Sequence, residues 1–162
     1  MNMLNNLPAR ILLLTAIALL AGCASPSVFD REGVDLGARP ELSLQNTGQK
    51  VIWGGTIIET RNLAEHTRIE VLAYPLSGSL RPELNEMTQG RFLIQRVGYL
   101  EPREYAPGRS VTVEGLLVEP QTGRIGEANY RYAVVKADKI KLWDKAGASS
   151  RIHFGIGIGI HN

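Results

Sequence analysis

From Lys50 onward the apolar residues come in short runs rich in Val, Ile and aromatics, parted by Gly, Pro and Asn. That spacing is the mark of successive strands, and nothing between 50 and 143 calls for a long helix. KVIWGGTIIET, 50–60, predicts a first strand whose Gly54-Gly55 pair suits a bulge or a barrel corner. RNLAEH, 61–66, has turn chemistry. TRIEVLAYPL, 67–76, then alternates, with Ile69, Val71 and Ala73 on one face and Glu70, Leu72 and Tyr74 on the other. The two predict a hairpin.

Residues 77–90 predict a loop with room for one helical turn over Pro82–Met87, and RFLIQRV a third strand. GYLEPREYAPGR, 98–109, is too irregular for regular structure and predicts a shaped surface loop. SVTVEGLLVEP, 110–120, shifts phase at Gly115, and QTGR predicts a turn. IGEANYRYAVVKADKIKLW, 125–143, predicts a long strand with Tyr130, Tyr132 and Val134 on one face, broken near Ala137-Asp138, and a short last strand. About six short antiparallel strands with glycine corners describe an all-β domain, a small closed or partly open barrel like an OB fold. Trp53 and Trp143 are expected in its core or at its rim.

The N-terminus has a different pattern. MNMLNNLPAR leads into ILLLTAIALLAG, twelve residues without a charge, the form of an export signal. As a helix this run would cover about 18 Å, short of the ~30 Å hydrocarbon core that a spanning helix crosses. Leu20-Ala21-Gly22-Cys23 resembles the bacterial lipobox. The resemblance implies cleavage between Gly22 and Cys23, a diacylglycerol thioether on the Cys23 sulfur and an N-acyl chain on its new amino group. Several acyl chains make a lasting anchor where one holds only reversibly. Ala24, rather than Asp, after the cysteine implies sorting to the outer membrane. The expected organisation is a removed signal peptide (1–22), a lipidated and weakly ordered tether (23–49), the barrel (50–143) and a glycine-rich tail (144–162).

The blocks VIWGGTI, RIEVLAYPL, GRFL, GYLEPREYAPGRSVTVEG, IGEANYRYAVV and IKLW resemble, in order and spacing, those of the Slp family of outer-membrane lipoproteins. The resemblance implies a lipid-anchored envelope protein associated with starvation, stationary phase or envelope stress, with the domain facing the periplasm. No enzymatic activity is established for the family, and it supplies no catalytic or ligand residues to carry over.

Charge and chemistry narrow the picture further. In 162 residues, 18 basic and 16 acidic side chains are interspersed, so the chain lacks the basic stripe of a nucleic-acid binder. The three histidines, His66, His153 and His161, have no metal-ligand spacing, and no G-x-S-x-G elbow is present. A lipidated Cys23 leaves no free thiol for a disulfide or a Cys/His nucleophile. With the missing ligand spacing and nucleophile motif, no enzyme, metal or dissociable cofactor is expected. A non-enzymatic structural or interaction role is expected, and Tyr99, Arg103, Tyr105 and Arg109, in and beside the irregular loop, form the candidate surface for an envelope protein or an anionic glycan; the alternative expectation is a ligand-binding module whose barrel mouth or 98–109 loop holds a glycan, lipid or peptide. The competing expectation is that arginine stems there merely cover apolar surface. In the tail RIHFGIGIGIHN, isoleucines alternate with glycines, and an added strand is expected.

Overall fold

The structure, a computed structural model, describes residues 28–144. The body that begins at Arg31 holds five strands among these residues: β1 (Lys50–Asn62), β2 (His66–Tyr74), β3 (Arg91–Val97), β4 (Ser110–Ile125) and β5 (Ala128–Leu142). They close into a barrel in the order β1-β2-β3-β5-β4, with β4 returning to β1. This is the five-stranded OB topology. The expected six strands become five because the predicted break at Ala137-Asp138 is a bulge. Glu114 pairs with Lys139 and Gly115 with Ala137, so Asp138 is looped out while β5 runs on. Nor is the barrel wholly antiparallel, since β3 and β5 run parallel, Phe92 to Gln95 against Ala133 to Lys136.

The interior follows from alternation. Val51, Trp53, Ile69, Val71, Phe92, Ile94, Val111, Val113 and Val135 are fully buried in one core. Trp53 and Phe92 meet edge to face at 5.4 Å. Gly54 and Gly55 mark a corner and not a bulge, because both pair with β2 on one side and with β4 on the other. A Cβ on Gly55 would stand 1.9 Å from the Leu72 carbonyl oxygen, so only glycine lets β1 pass between the two strands at that distance. The bulge of β1 comes later, at Ile58.

Two turns differ from expectation. QTGR lies inside β4, and the chain reverses at Gly126-Glu127, since Ile125 pairs with Ala128. Pro82–Met87 forms a hydrogen-bonded turn, Glu86 N to Glu83 O at 3.0 Å, and no helix. Residues 35–49 differ as well. Ile52 N donates to Asp35 O (3.1 Å), Gly48 N to Leu117 O (2.8 Å), and Leu117 N to Gln49 O (2.9 Å). Ala38 and Leu44 join the core. This stretch is laid on the barrel because its backbone completes edges that β1 and β4 leave unpaired. Trp143 sits at the rim, its indole N–H donating to Thr112 Oγ1 at 2.9 Å and Lys141 lying over its ring.

Candidate functional site

The outward-facing residues of β1, β2 and β3 form two rows across the strands. One reads Glu59, Glu70, Leu93 and, on β5, Val134; the next reads Arg61, Arg68, Gln95 and Lys136. Over the first row folds the β4–β5 hairpin. Its direction is set by an irregularity in which Glu119 and Pro120 stand against Ala133 alone, between the pairs Val118–Val134 and Gln121–Tyr132. Such an excess of residues on one strand bends a ribbon, and Pro120 has no N–H to pair there. Between the hairpin and the sheet lies a cleft of about 180 Å³, walled by Arg61, Arg68 and Glu70 below and by Gln121, Thr122 and Arg124 above.

A polar network holds the wall in place. The Glu70 carboxylate accepts from Arg91 Nη1 at 2.8 Å and from the Tyr132 hydroxyl at 3.2 Å. The Tyr130 hydroxyl donates to Glu41 Oε1 and accepts from Arg91 N, both at 3.2 Å. The two tyrosine rings meet edge to face at 4.7 Å, above a small apolar cluster of Leu93, Tyr132 and Val134 on the outside of the barrel. Burial, followed for Tyr132 by the neighbouring Glu70 carboxylate, holds both phenols above the ordinary tyrosine value. Glu59 pairs with Arg61 at 2.8 Å, which raises the Arg61 guanidinium further. Among the described residues, neither the Arg68 nor the Gln121 side chain has a hydrogen-bond or salt-bridge partner.

The residues chosen from sequence lie elsewhere and do not converge. Tyr99 is 68% exposed and its hydroxyl reaches Glu101. Arg103 is exposed on the same loop. Tyr105 and Leu100 instead pack against the core, and burial raises the Tyr105 phenol. The loop is strapped to the barrel by Thr60 Oγ1 to Tyr105 O (2.8 Å) and Asn62 Nδ2 to Leu100 O (3.0 Å). Arg109 spends its guanidinium on the carbonyls of Glu104 and Trp143. Gly22, Cys23 and the tail strand fall outside the described residues. The cleft went unseen because its lower wall was legible only as alternating charges in two strands, while its upper wall depends on where the hairpin bends.

A family described as the outer membrane lipoprotein Slp family matches residues 20–155. The chain belongs to this family. Three relatives agree with it. An uncharacterised protein of Haemophilus influenzae is 37% identical over 129 residues, covering 76% of this chain and 70% of that one. Two Escherichia coli proteins follow. The uncharacterised lipoprotein YeaY is 29% identical, covering 85% of this chain and 74% of its own. The outer membrane protein Slp is 28% identical, covering 85% and 76%. In this Slp-family chain the matched region contains all five strands and every wall of the cleft.

Proposed function

We propose that the protein is anchored in the outer membrane by lipid on Cys23 and acts there as a non-enzymatic interaction module, its barrel facing the periplasm. The observation that carries the anchor is Leu20-Ala21-Gly22-Cys23 after an uncharged apolar run, in a chain of an outer-membrane lipoprotein family. Diacylglycerol on the sulfur and an acyl chain on the amino group would make attachment durable. A link to starvation or envelope stress, and an envelope protein or glycan as partner, belong to the same reading.

What supports interaction over catalysis is the state of the carboxylates beside the cleft. Glu59 is neutralised by Arg61, and Glu70 by Arg91 with a tyrosine hydroxyl. Such pairs hold the geometry of the wall. The position of the cleft, on the β2–β3 face beside the β4–β5 hairpin, is where barrels of this topology take ligands. The loop bearing Tyr99 and Arg103 is a second surface open to a partner.

The test is labelled palmitate in growing cells followed by membrane fractionation. The full chain is expected to take up label and sediment with outer membrane in high salt, and Cys23→Ser to lose both. An unlabelled wild-type protein, or a Cys23→Ser form still membrane-bound in high salt, would defeat the anchor.

A further inference from the structure

We infer that the cleft is a site for one acidic sugar, a ring bearing a carboxylate or phosphate, with Arg68 and Arg124 taking the anion. This rests on the reading of the barrel as an interaction module and names what the module takes.

The first observation is a pairing that the fold does not need. Arg61 stands directly opposite Arg68 across β1 and β2. Like charges at directly opposed positions disfavour a sheet. Glu59 neutralises Arg61, but Arg68 keeps an unpartnered guanidinium. The row continues through Gln95 to Lys136 and contains no carboxylate. An anion lying on this row would relieve the repulsion, and guanidinium offers it two parallel N–H donors.

The second observation is what surrounds that row. Arg124 and Thr122 come down from the hairpin; Arg124 Nη2 donates to the Glu127 carbonyl at 3.2 Å, which leaves its other N–H groups for a ligand, and Gln121 beside them has a side chain free to donate and accept. Across the cleft are the carboxylates of Glu59 and Glu70. A bare inorganic anion would meet those carboxylates unfavourably. A sugar ring presents hydroxyls to them, which donate to carboxylates and accept from amide and guanidinium. Acid on one side and hydroxyls on the other match a cleft with arginines in one row and carboxylates in the next. The volume, about 180 Å³, has room for one ring. The cleft is open, so a sugar within a chain could enter as well as a free one.

The experiment is a titration of the full-length protein in detergent micelles, followed by backbone amide NMR. The probes are glucuronic acid and glucose 6-phosphate, with glucose and inorganic phosphate as their separate halves. Millimolar binding of the two acidic sugars is expected, with shifts at 59–61, 68–70 and 121–124. Glucose and phosphate are each expected to bind at least about tenfold more weakly, the loss of one charged hydrogen bond. Arg68→Gln and, independently, Arg124→Gln should weaken the acidic sugars by about tenfold. Arg39→Gln, exposed in the segment before β1 and outside the cleft lining, should change nothing.

Phosphate binding as tightly as the acidic sugars would overturn the inference in favour of a plain anion site, and glucose binding equally well in favour of neutral glycan. Shifts confined to 98–109, or no binding by any probe, would overturn it too. None of these outcomes touches the palmitate and fractionation result, so failure of the sugar site and failure of the anchored-module reading remain distinguishable.

Discussion

The inner and outer faces of β1, β2 and β3 are made from alternate residues of the same strands, yet they hold together on opposite principles. Inside, Trp53, Ile69, Val71, Phe92 and Ile94 are wholly buried and touch one another. Each Å² removed from water contributes about 25 cal/mol, and a void left by truncation cannot refill. Outside, Glu59 and Arg61 keep roughly half of their side-chain surface in water, 45% and 57%, and water screens such a pair so that it adds little to stability. The inner face therefore determines that the chain folds. The outer face is left free to carry charges chosen for something other than stability, which is why an uncompensated Arg68 can be kept there.

Trp53→Ala attacks the inner face and should have the largest effect, a loss of about 3–5 kcal/mol in urea unfolding followed by circular dichroism. Trp53→Phe should cost clearly less, because the indole N–H of Trp53 is buried without a partner and its removal leaves no polar group stranded. Near-equal costs for the two would break the comparison by showing that the interior tolerates a void.

Glu70→Ala probes the outer face at a half-buried carboxylate. It removes the acceptor shared by Arg91 and Tyr132, and a loss of about 1–2 kcal/mol is expected. The hairpin above the cleft should loosen with it, seen as faster amide exchange at 121–124 and 130–132. A loss as large as that of Trp53→Ala would erase the distinction between the faces.

The smallest effect is a pH dependence. Tyr130 and Tyr132 titrate above the ordinary tyrosine value of 10.0 in the folded protein, so the native state keeps protons that the unfolded chain releases. The stability from this source is whole below pH 10.0 and declines as the pH rises through the folded values. The slope should lie well under the roughly 1.4 kcal/mol per pH unit of one fully shifted group. In Tyr132→Phe it should be shallower than in wild type above pH 10.0; an unchanged slope would show that the phenol contributes nothing to the wall of the cleft.

Much of the fold was legible because alternation is local. The strands at 50–60, 67–76, 91–97 and 110–120 appear close to where their apolar residues put them, and the irregular loop is a loop. The extra sixth strand arose because a looped-out Asp138 and a true chain break have the same polar signature in sequence. The turn misplaced to QTGR has a similar origin. Those residues have turn chemistry, but β5 offers them backbone partners, and pairing outweighs propensity. For the candidate site the outcome is less even. Tyr99 and Arg103 are exposed as a binding surface requires, while Tyr105 and Arg109 are committed to the barrel and to loop carbonyls.

What the sequence determined by itself is whatever depends on neighbours in the chain: the lipobox with Cys23, the period-two strands, the face on which each side chain falls, and the family. What only the tertiary structure decided is whatever depends on chain segments far apart. The parallel seam between β3 and β5, the packing of residues 35–49 on the barrel, and the bend at Glu119-Pro120 are of this kind. The cleft belongs with them. Arg68 and Arg124 are 56 positions apart in the chain, and no local pattern encodes their meeting, because it is set by the path of a closed sheet and the register of one irregular pair of strands.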